Sequence, residues 1–100
     1  MDLSQMKQAL ELKSKIDKAQ KDLGKITVEA EAAKGDIKVV ANGQQKIVSI
    51  EIAAEAINPA KAKALEDNIL RAVNDALDKA KKAASKELSG LMGGLNLPGM

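Results

Sequence analysis

Residues 26–52 read ITVEAEAAKGDIKVVANGQQKIVSIEI, and in this stretch apolar side chains recur at every second position. A period of two is typical of β-strands that bury one face. Two potential turns, Lys34-Gly35 and Asn42-Gly43, divide the stretch into three segments, and Asn-Gly is a strong hairpin signal. The stretch therefore predicts a three-stranded antiparallel meander.

The strand register offers a check on the two turns. A turn centred on residues 34 and 35 places Ala32 opposite Ile37, and a turn centred on residues 42 and 43 places Val48 opposite Ile37. Both registers put the alternating apolar residues on one face, as a meander with a single buried face requires. The two turns therefore support the same sheet.

The segment from Asp2 to about Lys25 precedes the sheet and has a helical period. Gly24 marks its expected C-terminus. Its apolar residues recur at spacings of three and four, which is a heptad pattern. They are Ala9, Leu12, Ile16, Ala19, Leu23 and Ile26.

A second helix is predicted after the sheet. Asn58 and Pro59 supply an N-cap and a proline at the first helical position. An apolar pattern of helical spacing then continues to about Ser89, and Gly90 is expected to end the helix. The remaining residues are rich in glycine and carry no charge, which predicts a flexible tail.

Together these elements predict an α+β fold with the order helix, three-stranded antiparallel meander, long helix (α-β-β-β-α). We expect a single domain over residues 1–89 and a flexible Gly-rich C-terminal tail over residues 90–100. No transmembrane span is expected, because the apolar stretches are short and broken by charge, and this favours a soluble cytoplasmic protein.

The core that this domain can bury is thin. The chain has 100 residues and is 45% hydrophobic, but alanine supplies 17 of these residues and Phe, Trp and Tyr are absent. At about 1.5 Å per helical residue and ~3.3 Å per strand residue, both helices overhang the sheet. An apolar stripe left in water indicates an interface, so we predict a homodimer. Its expected interface residues are Leu12, Ile16, Leu23, Ile47, Val73 and Leu77.

The missing residue types disfavour catalysis. The chain has no Cys or His, so it lacks a thiolate nucleophile, a zinc-thiolate site and the commonest general base. It contains no Gly-rich phosphate loop of the Walker or Rossmann type. The absence of aromatic residues also removes the stacking platforms of single-strand nucleic-acid binders. We predict a non-enzymatic protein without a cofactor, a metal site or a small-molecule substrate.

The lysines offer a sharper functional hypothesis. Sixteen basic and 14 acidic residues give a net charge of +2, which is too balanced to indicate a polyanion partner by itself. The two helical segments are mildly basic, however, and lysines on them could contact DNA phosphates independently of sequence. The alternative is that they only solubilise the outer helix faces. The candidate DNA-binding residues are Lys7, Lys15, Lys18, Lys21, Lys25, Lys79, Lys81, Lys82 and Lys86.

Several motifs carry a resemblance to a known family. They are Lys15-Ile16-Asp17-Lys18-Ala19-Gln20-Lys21-Asp22-Leu23, the stretch from Gly35 to Ile50, Leu65-Glu66-Asp67, Ala72-Val73-Asn74-Asp75-Ala76, Lys79-Ala80, Gly93-Gly94-Leu95 and Leu97-Pro98-Gly99-Met100. Together they resemble the YbaB/EbfC family of bacterial nucleoid-associated proteins over essentially the whole chain.

The resemblance implies a tweezer-like homodimer that binds double-stranded DNA in the nucleoid, with a role in nucleoid organisation and gene regulation. Lys15, Lys18 and Lys79 match recurrent basic positions of the family, whereas the other lysines are expected from charge and helical face alone.

Two alternatives stay open at this point. One is a protein-interaction adaptor linked to DNA repair or replication, in which the apolar overhang and the tail dock a partner protein and the lysines are solubilising. The other is RNA binding, because contacts to phosphates discriminate poorly between DNA and RNA.

Overall fold

The computed structural model describes residues 2–94. Its two helices and three strands follow the order α-β-β-β-α, which confirms the predicted architecture and the α+β class. The elements are α1 (Leu3–Lys25), β1 (Thr27–Ala32), β2 (Ile37–Asn42), β3 (Ile47–Ile52) and α2 (Ala62–Gly94).

The three strands form one antiparallel sheet in the order β1-β2-β3. The predicted register of β1 on β2 is confirmed, because Ala32 pairs with Ile37 and Ala30 with Val39. The connection is a 3₁₀ turn over Ala33–Gly35, not the two-residue turn expected from the sequence. Because this longer connection is centred on the same residues, the register does not change.

The predicted two-residue turn at positions 42 and 43 is wrong. Asn42 belongs to β2, and residues 43–46 make the connection to β3. Ile37 therefore pairs with Ile52 and not with Val48. The pairing of β3 with β2 is thus shifted by four residues. Because four is an even number, Ile50 and Ile52 stay on the predicted face of the sheet.

The longer turn is stabilised by the side chain of Asn42. Its Oδ1 accepts hydrogen bonds from the backbone N–H of Gln44 at 2.9 Å and of Lys46 at 3.2 Å. An asparagine side chain that bonds to the backbone two residues later forms an Asx turn. This local hydrogen bonding competes with the two-residue hairpin that Asn-Gly otherwise favours.

The core lies between one face of the sheet and α2. Ile37 and Val39 in the central strand are fully buried, and α2 packs mainly on β1 and β2. The other buried positions at the centre of the contact are alanines, which let the helix approach the sheet closely. They are Ala30, Ala32, Ala41, Ala72, Ala76 and Ala80.

Strand β3 lies at the edge of the sheet, largely beyond the cover of α2. Its aliphatic residues Ile47, Val48 and Ile50 are 36%, 57% and 46% exposed. Side chains of the same kind are fully buried in β2. The chain thus leaves an apolar strip along one edge of its sheet.

The second helix differs from the prediction at both ends. Asn58 caps a short 3₁₀ turn, Pro59–Lys61, that leads into α2. The predicted end near Ser89 and Gly90 is wrong, because α2 continues to Gly94. A glycine inside a helix costs only about 1 kcal/mol relative to alanine, which does not stop a long helix.

The predicted boundary between residues 1–89 and the tail at residues 90–100 is thus not a helix end. Residues 95–100 of the predicted tail lie outside the described residues, and the flexibility of the tail stays a prediction. Neither helix in residues 2–94 has an apolar stretch long enough to cross a membrane.

Candidate nucleic-acid interface

Helix α1 is an arm whose outer part is exposed. Asp2 caps its first turn, with Oδ1 accepting a hydrogen bond from the backbone N–H of Gln5 at 2.8 Å. All residues from 3 to 18 are exposed, and Leu23 is the buried residue of the helix. The arm therefore packs on the rest of the chain only near its C-terminal end.

The C-terminal end of α1 is held by the turn between β2 and β3. The backbone N–H of Gly43 donates to the carbonyl oxygens of Leu23 at 2.9 Å and Ile26 at 3.1 Å. The side-chain amide of Gln44 donates to the carbonyl oxygen of Gln20 at 2.7 Å. Leu23 is among the last four residues of α1, whose carbonyl groups lack partners within the helix. We call this set of contacts the α1 joint.

Glycine is needed at position 43 because the backbone of the turn passes so close to the backbone of α1. A Cβ atom there would lie 2.6 Å from the carbonyl oxygen of Leu23. Gly24 lies on the other side of the same contact, where a Cβ would lie 3.0 Å from the side-chain amide of Gln44. Helix α1 ends one residue after Gly24, close to the predicted position.

Four of the predicted DNA-binding residues, Lys7, Lys18, Lys21 and Lys25, lie along one side of α1. At 100° per residue they fall within an arc of about 60°. They extend over about 27 Å of helix at 1.5 Å per residue, and all four are exposed. We call these residues the α1 lysine ridge. Lys15 is also exposed, about 60° outside this arc.

A shallow depression on α1 adjoins the ridge. It is lined by Leu10, Lys13, Ser14, Asp17, Lys18 and Lys21. Sequence reasoning missed Lys13. It is a lysine on the same helix as the predicted ones, which is the signal that could have found it, and it lies about 80° around α1 from Lys21. Asp17 is the acidic member of the group and lowers the local positive charge.

The predicted lysines of α2 have a more acidic environment. The ammonium group of Lys79 donates to the backbone carbonyl of Glu29 in β1 at 2.8 Å. Lys79 and Lys82 line a second depression, together with Ala30, Glu31, Asp75 and Asp78. Three carboxylates beside two lysines leave this surface with little positive charge.

The other two predicted DNA-binding lysines of α2 lie apart from each other. Lys86 lines a third depression with Ile26, Ala83, Glu87 and Gly90. By helical angle it shares one side of α2 with Lys79 and Lys82, within an arc of about 60°. Lys81 is exposed and lies about 100° or more from all three. The α1 lysine ridge is therefore the clearest basic surface among the described residues.

The outer face of the sheet is acidic. Lys38 forms an ion pair with Glu29 at 3.2 Å. The hydrogen bond to Glu29 and its negative charge raise the pKa of Lys38, and Glu31 adds to the increase. Across residues 2–94, no three His, Cys, Asp or Glu side chains are placed together to hold a metal ion.

The six predicted dimer-interface residues fall into three groups by exposure. Leu23 is 7% exposed, so it belongs to the packing of its own chain. Val73 and Leu77 on α2 are half-buried. The exposed residues are Leu12, Ile16 and Ile47, at 54%, 49% and 36%.

These features define a class of protein: a small α-β-β-β-α domain whose basic surface lies on a projecting helix. The chain matches the YbaB/EbfC DNA-binding family over residues 1–95. It is 46% identical over 95 residues to a nucleoid-associated protein of Pelotomaculum thermopropionicum, covering 95% of this chain and 90% of that protein. A nucleoid-associated protein of Desulforamulus reducens is 44% identical over 95 residues with the same coverage. The chain belongs to the YbaB/EbfC DNA-binding family.

A solved structure supports the fold. The crystal structure of the uncharacterized protein HP0035 from Helicobacter pylori matches with a TM-score of 0.73, covering 92% of this chain and 97% of that chain. The sequence identity is 20%, so the match concerns the arrangement of the helices and the sheet.

Proposed function

We propose that this chain is a non-enzymatic, nucleoid-associated protein of the bacterial cytoplasm that binds duplex DNA as a homodimer. Its lysines contact backbone phosphates, and through this binding it contributes to nucleoid organisation and gene regulation. Membership of a DNA-binding family supports DNA as the partner, and the relatives named above are nucleoid-associated proteins. The observation that carries the phosphate mechanism is the α1 lysine ridge.

The ridge suits a phosphate backbone because of its length and exposure. Its lysines extend over about 27 Å of helix, and the side chains are free to follow phosphates along a duplex. Each phosphate neutralised by a lysine releases condensed counterions, which favours binding and makes it depend on salt. The same contacts carry no sequence information by themselves.

The apolar strip on β3 supports a homodimer. Edge strands with exposed aliphatic residues pair readily with another chain, and a contiguous apolar patch indicates an interface. Leu70 on α2 is also 60% exposed. A second copy that covers these residues would give the protein two arms, and so two α1 lysine ridges.

The test is a titration of duplex DNA with the protein at several salt concentrations between about 50 and 200 mM. If the dimer neutralises six to eight phosphates, the logarithm of the binding constant should fall with the logarithm of salt at a slope of about −5 to −7. The molar mass of the protein in solution, measured in parallel, shows whether it is a dimer.

A matched pair of variants locates the contact surface. One variant changes Lys7, Lys18, Lys21 and Lys25 to Gln. The control changes four exposed lysines outside the ridge, Lys34, Lys46, Lys61 and Lys63, to Gln, so both variants lose the same charge.

We expect the ridge variant to lose most of its affinity and salt dependence, and the control to keep most of both. Equal losses would show that only total charge matters and that the ridge is not the contact surface. Unchanged affinity in both variants would favour the adaptor hypothesis, in which the lysines only solubilise the protein. Duplex RNA as a competitor tests whether the binding is specific to DNA.

A further inference from the structure

The α1 lysine ridge is accompanied by two exposed leucines. Leu3 is 84% exposed and Leu10 is 66% exposed. At 100° per residue both lie within about 60° of Lys7 around the helix. Leu10 also lines the depression on α1 that contains Lys18 and Lys21. A surface that brings these lysines to DNA would bring the leucines with them.

The leucines do not face the surface predicted to form the dimer. Leu12 and Ile16 lie about 170° and about 130° around α1 from the mean direction of Leu3 and Leu10. A helix of a second copy packed on Leu12 and Ile16 would leave Leu3 and Leu10 exposed to water. Apolar side chains exposed on the side of a helix that contacts a partner are available for burial against that partner.

Two lysines flank Leu10 in positions that suit the two walls of the major groove of DNA. Lys7 and Lys13 lie about 60° from Leu10 on opposite sides of the helix. An α-helix with side chains is about 10–12 Å across, and the major groove is about 12 Å wide. A helix seated there would direct Leu10 toward the base edges and one lysine toward each phosphate wall. The apolar group on the floor of this groove is the C5-methyl of thymine.

We propose that Leu3 and Leu10 contact thymine methyl groups in the major groove and give the protein a preference for thymine. This inference rests on the proposed function. The two leucines are about 10.5 Å apart along α1, a distance close to three base-pair steps at 3.4 Å. The preferred DNA therefore carries two thymines about three base pairs apart.

The test uses two duplexes that differ only in this methyl group. One contains thymine, and in the other every thymine is replaced by deoxyuridine, which pairs identically but lacks the C5-methyl. Burial of one methyl-sized group is worth about a fourfold change in affinity. The wild-type dimer should bind the deoxyuridine duplex more weakly, by about fourfold for each methyl group contacted.

Two variants connect the effect to the leucines. The double variant Leu3→Gln/Leu10→Gln keeps good helix formers and should bind both duplexes equally, with the salt slope of the wild type. The double variant Leu3→Met/Leu10→Met keeps apolar side chains and should still prefer thymine. The salt slope separates this apolar contact from the lysine contacts, which set the slope.

The outcomes distinguish this inference from the function on which it rests. If the wild type binds neither duplex, the proposed function is wrong and the inference fails with it. Equal binding of both duplexes by the wild type overturns the leucine contact and leaves DNA binding by lysines intact. An unchanged preference for thymine in the glutamine variant would also overturn it.

Discussion

Because the α1 joint is so close, we predict that one methyl group added at position 43 strongly lowers the free energy of unfolding. In the variant Gly43→Ala, the added Cβ would lie 2.6 Å from the carbonyl oxygen of Leu23 and 3.2 Å from its Cα and carbonyl carbon. All three atoms belong to the backbone of α1, so a side chain cannot move aside to relieve the contact. The turn must withdraw from the helix, or the helix from the turn.

The size of this destabilisation follows from the hydrogen bonds of the α1 joint. Withdrawal weakens the bonds from the N–H of Gly43 to Leu23 and Ile26 and the bond from Gln44 to Gln20. A typical hydrogen bond contributes about 1 kcal/mol, and a buried N–H left without a partner costs about 1–3 kcal/mol. Gly43 is buried, so we expect its replacement to lower the free energy of unfolding by about 2–3 kcal/mol.

Urea unfolding at equal protein concentrations measures this change, because the stability of the proposed homodimer would depend on concentration. Gly90→Ala is the matched control. A Cβ at position 90 meets nothing within 4 Å, and alanine is favoured over glycine inside a helix by up to about 1 kcal/mol. The same substitution should therefore destabilise at position 43 and stabilise at position 90.

Hydrogen exchange of the backbone N–H groups then shows where the protein has changed. In the Gly43→Ala variant, protection should fall at residues 23–26 and in the turn, and remain in the core strand β2. If Gly43→Ala is as stable as the wild type, or exchange in α1 is unchanged, the contact of the turn with α1 does not hold the arm in place.

Three further predictions concern the core, the depression on α1 and the sheet surface. Ile37→Ala removes a fully buried side chain and should lower the free energy of unfolding by about 2–5 kcal/mol; a loss under about 1 kcal/mol would contradict the observed core. Asp17→Asn removes the carboxylate of the α1 depression and should tighten DNA binding at low salt; weaker binding would argue against phosphate contact there. The raised pKa of Lys38 means that its pairing with Glu29 stabilises the protein at neutral pH and is lost as the pH rises through a value above 10.5. The stability difference between the wild type and Lys38→Gln should therefore vanish above that pH, and a constant difference up to higher pH would exclude the ion pair as its cause.

The β1–β2 hairpin shows what the sequence contains about the fold. Its register follows from local information, because alternation with a period of two and one buried face leaves few ways to pair Ala32 with Ile37. The β2–β3 hairpin fails by the same reasoning. The Asn42-Gly43 pair predicts a tight two-residue turn. In the structure, however, Gly43 is required because it lies so close to Leu23 of α1, and no sequence pattern around residue 43 indicates that contact.

The candidate site was predictable to a similar degree. A helical period places Lys7, Lys18, Lys21 and Lys25 on one side of α1, and the structure keeps them there and exposed. The hydrogen bond from Lys79 to Glu29 joins positions 50 residues apart, so the helical pattern alone could not reveal it. The predicted end of α2 at Gly90 is wrong because a single glycine costs only about 1 kcal/mol. This cost is too small to end a helix of 33 residues.

The projecting arm also explains how a nearly neutral protein could bind a polyanion. Exposed charges interact strongly only within about a Debye length, which is about 8 Å at physiological salt. Lys7 lies 16 residues before Leu23, or about 24 Å along α1 from the α1 joint. The carboxylates on the outer face of the sheet are therefore screened from the outer part of the ridge. The net charge of +2 sums the charges of the sheet and of the outer part of the arm. In the proposed function, binding depends on the charge within one Debye length of the arm.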